Sequence, residues 1–419
     1  MDINTLLQGF ACDCGKFHTC KIDCVYIEKG ATSHLKEICK HYKNILIVAD
    51  ENTYRAAGDK TVNSLPDKNI RTLLFSGAEI LVPNETAIAK VTNNLKDIDL
   101  LIGIGSGVIQ DLCKYVSYEN KLPYIIVATA PSMDGYASDG AAMITNGMKV
   151  TYKAGLPRAI IADTAVLANA PIEMIQAGYG DIIGKFSALN DWKLSHCVTN
   201  ESFCDHIYDL TYEQIKRTLA LSRGILKRNE ESIKALMEAL VIIGIMMSFA
   251  GSSRPASGSE HHLSHFFEIT GIINGTDYFP HGIDVAYSTV ITAKLREKLL
   301  KAEFPQKLYR PDFNEYSEKM NLLYKSSAKS CIQLQEKVGR YKNADAKIYL
   351  SKQDEIRQIL AEMPSSDEIE RMLSLVNLNM TEFYSLYGNE KIDSAILYAK
   401  DLKDRYTVLW MNYDFCTEA

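Results

Sequence analysis

Five short apolar runs, separated by helical segments, constrain the fold of this chain more than any other feature of its sequence. Between the runs, stretches such as residues 85–95 show the spacing of apolar side chains that is typical of a helix. Strands that alternate with helices form a parallel sheet, so we expect a doubly wound α/β domain. The predicted strands are residues 44–50, 71–75, 100–104, 124–128 and 159–163.

The pattern changes near Ala165. From Pro171 onward the segments are amphipathic and helical, with almost no strand-like alternation. A chain of 419 residues is also too long for one hydrophobic core. We therefore expect an α/β domain over residues 1–165 and an all-α domain over residues 166–419. The clearest helical segments are residues 212–227, 230–249, 318–339, 347–362 and 366–375.

Charge and hydropathy exclude several classes of protein. The formal net charge of -6 and the pI near 5.9 argue against a general nucleic-acid surface. No apolar run approaches the roughly 20 residues of a membrane span, and we expect residues 239–250 to form a buried helix. The N-terminus has no basic region followed by an apolar stretch, so we expect no signal peptide. The sequence thus predicts a cytoplasmic protein with reduced cysteines.

Four cysteines crowd the N-terminus, with His18 among them. One interpretation is a small zinc-binding knuckle, and the other is a set of reduced thiols without a ligand. The spacing, C-x-C-x5-C-x3-C, is not a standard pair of C-x2-C hooks, so both interpretations stay open. The cysteines are Cys12, Cys14, Cys20 and Cys24.

The third predicted strand runs directly into a glycine-rich turn at residues 103–107, and a helical segment follows. Glycine lets a phosphate approach the backbone closely, and the helix N-terminus offers unpaired amides to a pyrophosphate. The turn is not a standard G-x-G-x-x-G and lacks the Walker lysine, so it could also be a simple tight connection. Its position after an apolar strand of an α/β region favours phosphate binding.

Polar residues follow two further predicted strands. Asp50 ends the first strand, where an acid can accept hydrogen bonds from the adenosine ribose and repel a 2′-phosphate. Residues 129–140 form a polar loop after the fourth strand, at the sheet edge where ligands bind. Each of these residues could instead be an ordinary turn residue. In that loop Thr129, Ser132 and Ser138 are suited to cofactor hydrogen bonds, and Asp134 to a substrate hydroxyl.

Four of the nine histidines lie between positions 261 and 281. A helix places His261 and His265 on one face, one turn apart. Catalytic zinc-type sites use three protein ligands and leave one position open, so a pair of histidines needs a third partner. Asp181 is a candidate because it opens the helical domain, although spacing alone does not select it over other acids.

These motifs together resemble those of the dehydroquinate-synthase-like superfamily, which includes iron-containing alcohol dehydrogenases, glycerol dehydrogenases and glycerol-1-phosphate dehydrogenases. The resemblance covers residues 10–300 and is weaker beyond. Residues 129–138 and 253–265 look specifically like glycerol-1-phosphate dehydrogenases, including their bacterial AraM-like branch. The matching stretches are G-x-G-S-G-x-x-x-D at 103–111, T-A-P-S-M-D-G-Y-A-S at 129–138, G-D-x-x-G-K at 180–185, S-R-P-A-S-G-S-E-H-x-x-S-H at 253–265 and H-G at 281–282.

The resemblance implies a role for each part of the site. It makes Asp181, His261 and His281 metal ligands. It places Asp134 and His265 at the substrate beside Asp181, and it gives Asp50 the role of the acid that disfavours NADP. The cofactor-binding residues that it implies are Gly105, Ser106, Gly107, Val108, Asp111, Thr129, Ala130, Ser132 and Ser138.

One departure from the family pattern bears on the metal. Iron-containing relatives have a histidine four residues after the ligand aspartate, and this chain has Lys185 there. The resemblance therefore implies three protein ligands and favours zinc or nickel over iron. Lys185 and Arg254 are candidate cations for a substrate phosphate, with Lys185 a candidate catalytic residue, although both could brace loops instead.

The implied reaction is the reversible reduction of dihydroxyacetone phosphate to sn-glycerol 1-phosphate by NAD(P)H. The metal would polarise the ketone oxygen, and His265 or metal-bound water would deliver the proton. Two alternatives use the same fold: a dehydrogenase of glycerol or another unphosphorylated polyol, and a lyase like dehydroquinate synthase. We expect a homo-oligomer, with a dimer as the default.

Overall fold

The computed structural model describes residues 2–79, 81–145 and 148–416. Its contacts group the chain into two compact units. The first unit comprises residues 1–182 and 216–252, and the second comprises residues 183–215 and 253–419. The domain boundary at residue 165 stays a prediction.

A six-stranded parallel sheet forms the framework of the first unit. Its strands are β3 (Cys24–Glu28), β4 (Asn44–Asp50), β5 (Asn69–Phe75), β6 (Leu100–Gly105), β7 (Tyr124–Ala128) and β10 (Ala159–Asp163). All five predicted strands are confirmed, and β3 is an additional edge strand. Two antiparallel hairpins accompany the sheet: β1 (Phe10–Ala11) with β2 (Phe17–His18), and β8 (Gly140–Thr145) with β9 (Met148–Lys153).

The inner strands of the sheet, β4, β6, β7 and β10, are covered on both faces, as their continuous apolar runs predict. Successive side chains of a strand point to opposite faces, and β4 shows where each set goes. Ile45 and Ile47 belong to one core cluster, whereas Leu46 and Val48 belong to another. The doubly wound α/β architecture is therefore confirmed.

The strand order places a ligand crevice at one edge of this sheet. The order is β3-β10-β7-β6-β4-β5, so the chain leaves β4 toward one side and leaves β6 toward the other. Such a reversal opens a crevice beyond the carboxyl ends of the two strands. Asp50 ends β4 and Gly105 ends β6. The two residues thus flank the position where doubly wound folds bind nucleotides.

Helices pack against the sheet and continue into the second unit. Within the described residues, one helix, α9 (Glu230–Ala250), is long and apolar enough to cross a membrane, and 78% of its most apolar window is buried. The helices of residues 1–171 are α1 (Ile3–Leu6), α2 (Leu35–Ile38), α3 (Glu51–Asn63), α4 (Glu85–Thr92), α5 (Gly107–Glu119) and α6 (Thr164–Leu167). Then follow α7 (Ile172–Thr199), α8 (Asp205–Leu221) and α9 (Glu230–Ala250).

The described part of the second unit is helical, as predicted, but two of the predicted helices are interrupted. The segment 318–339 breaks at Lys325, whose φ of 42° no regular helix accommodates. The segment 347–362 breaks at Lys352. The helices are α10 (Ser259–Asn274), α11 (His281–Lys301), α12 (Phe313–Tyr324), α13 (Ala328–Val338), α14 (Arg340–Asn343), α15 (Ala346–Ser351), α16 (Gln353–Ala361), α17 (Ser366–Ser374), α18 (Met380–Tyr398) and α19 (Val408–Asp414).

The residues beyond position 300 build the core of the second unit. Trp410 and Met411 of the short helix α19 are almost completely buried. They belong to one apolar cluster with Leu194 from α7 and Ile356 from α16. The C-terminal third of the chain is thus structural, since it supplies much of the apolar surface against which the second half of α7 packs.

Candidate functional site

The glycine-rich turn joins β6 to α5, as predicted, and its glycines differ in what the fold requires of them. A Cβ at Gly105 would lie 2.6 Å from the Cβ of Ile109, so only glycine lets α5 pack this closely on β6. A Cβ at Gly107 would meet only the side chain of Met133, at 3.8 Å. Packing therefore explains Gly105 but leaves space open above Gly107, the first residue of α5.

The loop after β7 is tied to this turn. The hydroxyl groups of Ser106 and Ser132 lie 2.7 Å apart, and both side chains are buried. The amide of Thr129 donates to the carbonyl of Gly105 at 3.1 Å. The structure thus brings together residues of the two segments that the sequence predicts for the cofactor, at the N-terminus of α5.

A buried lysine that the sequence reasoning missed holds the next part of the loop. The Lys114 ammonium donates to the carbonyls of Gly135 at 3.0 Å and Gly140 at 2.8 Å. It also lies 3.4 Å from Asp111 and 3.3 Å from Ser138, two of the predicted cofactor residues. Burial lowers the pKa of Lys114, and Asp111 opposes that shift. A carboxylate three residues earlier in the helix was the available sequence signal.

Asp181 and Asp134 lie next to each other in the first unit. Asp181 is fully buried on α7, and its Oδ2 accepts a hydrogen bond from the Asp134 amide at 2.9 Å. One turn earlier, a Cβ at Gly178 would lie 1.8 Å from the carbonyl oxygen of Pro131. Glycine at this position lets α7 approach the polar loop closely enough for that hydrogen bond.

Asp50 has a structural task at the crevice. Its Oδ1 accepts hydrogen bonds from the amides of Asn52 at 2.8 Å and Thr53 at 2.9 Å. The Thr53 hydroxyl accepts from the Asp50 amide in return, at 3.1 Å, which completes a capping box for α3. The ribose role of Asp50 stays a prediction beside this observed capping role.

Three of the histidines come together in the second unit. The ring centroids of His261 and His281 lie 5.1 Å apart, those of His265 and His281 5.5 Å, and those of His261 and His265 6.2 Å. His261 and His265 occupy adjacent turns of α10, and His281 is the first residue of α11. The fourth, His262, is completely buried, and this burial with nearby Arg405 lowers its pKa.

Glu260 orients one imidazole of this cluster. Its Oε1 lies 2.7 Å from the Nδ1 of His261 and also accepts from the Gly258 amide at 2.8 Å. With its proton on Nδ1, His261 presents Nε2 as a lone-pair donor. The Nδ1 of His281 similarly lies 3.3 Å from the Ser264 hydroxyl. Imidazoles held by one ring nitrogen fit a divalent metal at the other, so this donor set is suited to such an ion.

The two predicted phosphate cations have protein partners. Lys185 is completely buried, and its ammonium donates to the carbonyl of Ala256 at 2.9 Å. Burial raises the pKa of Glu260, whereas the Gly258 amide and the Lys185 charge oppose that shift. Arg254 donates to Glu201 at 2.7 Å and to Tyr406 at 2.9 Å, which braces the loop that precedes α10.

The chain resembles proteins of known sequence and structure. It matches the family model described as iron-containing alcohol dehydrogenase over residues 26–171. It is 31% identical to the NAD(P)+ glycerol-1-phosphate dehydrogenase of Halalkalibacterium halodurans over 95% of this chain and 94% of that relative. It is 34% identical to the enzyme of the same name from Geobacillus thermodenitrificans over 80% and 78%.

Among solved structures, glycerol dehydrogenase from Schizosaccharomyces pombe superposes with a TM-score of 0.55 at 18% identity, over 88% of this chain and 92% of that one. At this identity the likeness establishes a shared fold.

Proposed function

The chain belongs to the glycerol-1-phosphate dehydrogenase family, and from this premise we propose that it reduces dihydroxyacetone phosphate reversibly to sn-glycerol 1-phosphate with NAD(P)H. The observation that carries the proposal is the 31% identity to the Halalkalibacterium halodurans enzyme over 94% of its length. The histidine cluster and the glycine turn supply the chemical groups that such a reaction needs.

The nucleotide occupies the crevice beyond β4 and β6 in this proposal. The N-terminus of α5 at Gly107 would hold its pyrophosphate, because backbone amides and the positive end of the helix dipole favour an anion there. The residues that surround the pyrophosphate in this proposal are Val108, Ala130, Ser106 and Ser132. Asp50 disfavours a 2′-phosphate, so NADH is preferred over NADPH. Bound NAD(P)H supplies the hydride.

Asp181, His261 and His281 hold a divalent metal, zinc or nickel, in this proposal. The hydrogen-bonded imidazoles described above support it, and Asp181 enters as the acid of the G-D-x-x-G-K motif. Such an ion supplies Lewis-acid polarisation of the substrate carbonyl when bound. Because the Glu260 carboxylate contacts the Nδ1 of His261, the Nε2 lone pair on the opposite side of the ring is left for the metal. Lys185 supports Glu260 electrostatically, so we assign it a positioning role.

His265 and Asp134 act on the substrate in this proposal. The His265 imidazole donates a proton to the substrate oxygen as the hydride arrives at the adjacent carbon. Asp134 accepts a hydrogen bond from a substrate hydroxyl, which fixes the face of the carbonyl that the hydride reaches. We also propose that the protein is located in the cytoplasm and that it forms a homodimer. Light scattering of the purified protein measures this oligomeric state.

A substrate panel tests the proposal. We expect NADH oxidation with dihydroxyacetone phosphate, a much higher KM for dihydroxyacetone, and chirally pure sn-glycerol 1-phosphate as product. Equal specificity constants for the phosphorylated and unphosphorylated ketones would overturn the substrate assignment. Turnover without net NADH consumption would instead show lyase chemistry.

A further inference from the structure

A short hairpin near the N-terminus gathers metal-binding side chains that the proposed reaction does not use. Strands β1 and β2 pair Phe10 with His18. The connecting turn is closed by hydrogen bonds from the Cys12 amide to Lys16 at 3.0 Å and from the Gly15 amide to Cys12 at 2.9 Å. Gly15 has a φ of 83°, which an L side chain would strain. This turn holds the two cysteines of a C-x-C sequence on one side of the hairpin.

The donor atoms of this hairpin lie at the separations that a metal site requires. The Sγ atoms of Cys12 and Cys14 and a ring nitrogen of His18 all lie within 4.8 Å of one another. The Sγ of Cys14 is 3.3 Å from the Nε2 of His18. Neighbouring ligands of a tetrahedral zinc ion are about 3.5–3.8 Å apart, given Zn–S and Zn–N bonds of about 2.3 and 2.0 Å. A small adjustment would therefore admit the ion.

His18 is fixed in the tautomer that a metal needs. Its side chain is buried, and its Nδ1 donates to the carbonyl of Phe249 at 3.0 Å. Its ring also stacks on the Phe249 ring, with centroids 5.6 Å apart. A carbonyl can only accept, so Nδ1 carries the proton and Nε2 carries the lone pair, on the side of Cys14. Backbone carbonyls orient metal-binding imidazoles in the same manner.

The other two N-terminal cysteines lie outside this group. Burial raises the pKa of Cys20 to about 11 and, with the nearby Asp23 charge, that of Cys24 to about 11. They therefore remain thiols at neutral pH. The structure thus divides the four cysteines that the sequence presents as one cluster, and it leaves Cys24 as a matched control.

We propose that Cys12, Cys14 and His18 bind a structural zinc ion, separate from the catalytic metal, which clamps the N-terminal hairpin to the end of α9 where Phe249 lies. Thiolates with an imidazole select zinc over harder cations. Zinc takes four ligands, so a donor from outside the hairpin completes the site.

Metal analysis of the full-length, tag-free enzyme tests this proposal. We expect Cys14→Ser and His18→Ala to lose one zinc per chain relative to the wild type, and Cys24→Ser to keep it. After cobalt substitution, the wild type should show thiolate-to-cobalt charge-transfer absorption, which a site of aspartate and histidine cannot give. Unchanged zinc content in Cys14→Ser, or no thiolate band, would overturn the proposal.

Alkylation of the wild-type protein gives a readout that does not depend on the folding of a variant. Cys14 is exposed, so reagent should modify it rapidly after chelation and slowly in the zinc-loaded protein. Mass spectrometry of the modified peptide measures this difference, and equal modification in both states would contradict the site. Serine variants of the eight remaining cysteines then show whether the fourth donor is a thiolate, because only a variant that removes a ligand would weaken the cobalt–thiolate absorption.

Discussion

Neighbouring side chains decide what each histidine of the cluster can do. The carboxylate of Glu260 accepts a hydrogen bond from the Nδ1 of His261, and the Ser264 hydroxyl lies beside the Nδ1 of His281. Such contacts fix the tautomer of an imidazole before any ligand arrives, which lowers the reorganisation that binding requires. The chemistry of the site thus depends on residues that never touch the substrate, and single substitutions can separate these roles.

Replacing Glu260 tests its orienting role. We expect Glu260→Gln to weaken metal affinity about 10–100-fold, the usual effect of losing such a partner. Competition with a chromogenic chelator measures the affinity. Glu268→Gln on the same helix is the control and should bind metal as the wild type does. Unchanged affinity in Glu260→Gln, with a wild-type melting temperature, would remove Glu260 from the site.

Replacing His265 separates the ligands from the proton donor. His265→Ala should retain metal and lower kcat and kcat/KM together by about 100- to 10,000-fold, as removal of a proton-transfer group does. His261→Ala should lose the metal as well as turnover. Elemental analysis and steady-state kinetics on the same samples provide both values. If His265→Ala loses the metal and His281→Ala keeps it, the ligand set must be redrawn.

At the scale of elements, the turn from β6 to α5 contains glycines with two different roles, one in packing and one proposed in ligand binding. Gly105 is required because a Cβ there would lie 2.6 Å from the Cβ of Ile109 in α5, whereas a Cβ at Gly107 would meet only Met133, at 3.8 Å. A glycine that packing requires and a glycine that we propose to bind the cofactor therefore stand two residues apart in one turn. Asp50 likewise combines two roles. Its carboxylate caps the N-terminus of α3, and we propose that the same carboxylate selects the cofactor.

The two glycines should respond differently to alanine. Gly105→Ala should destabilise the protein by about 1–3 kcal/mol, because its Cβ would overlap Ile109. Gly107→Ala should leave stability within about 0.5 kcal/mol of wild type and raise the KM for NADH about tenfold, equal to about 1.4 kcal/mol of binding. Thermal unfolding and kinetics test the pair. Normal cofactor binding by Gly107→Ala would place the pyrophosphate elsewhere.

Asparagine and alanine at position 50 separate the two tasks of Asp50. Asparagine caps helices as well as aspartate does, so Asp50→Asn should keep the melting temperature while narrowing the preference for NADH over NADPH. Asp50→Ala should also lose about 0.5–2 kcal/mol of stability. The test is to measure the specificity constants for NADH and NADPH in the wild type and in both variants. A wild type that already prefers NADPH would exclude the assigned role.

At the scale of the whole molecule, metal binding should stabilise the fold as well as enable catalysis. A ligand present at 100 times its Kd stabilises the state that binds it by about 2.7 kcal/mol. Chelation should therefore abolish activity and lower the melting temperature, and added zinc or nickel should restore both. Calorimetry and activity assays on the stripped and reloaded enzyme test this. Full activity without metal would contradict the proposed site.

The sequence predicted the architecture where the pattern was continuous and missed it where the pattern was short. Four of the five predicted strands, β4, β6, β7 and β10, stand out because both of their faces are covered, whereas the edge strand β5 is mostly exposed. Strand β3 lies at the sheet edge, and its apolar run of four residues, from Cys24 to Ile27, is shorter than those of β4 and β7. The break at Lys325 depends on one backbone angle, which helical periodicity does not report.

In the candidate site, likewise, contacts that follow from helical spacing were predictable, and contacts that depend on local geometry or burial were not. The clustering of three histidines was predictable because helical spacing and sequence proximity bring them together. Glu260 was missed because adjacent helical residues do not normally face each other, so its contact with His261 depends on local geometry at the start of α10. Lys114 was missed because its role comes from complete burial, which a charged residue rarely has.

The burial of α19 has a consequence for the synthesis of this protein on the ribosome. Leu194 shares a core with Trp410, which is translated 216 residues later (410 minus 194). At about 5–20 residues per second, the ribosome needs roughly 10–40 s to cover that distance. During this interval the apolar face of the second half of α7 has no partner from α19. This face of α7 is therefore the part of the nascent chain that we expect to be most prone to aggregation until α19 is synthesised.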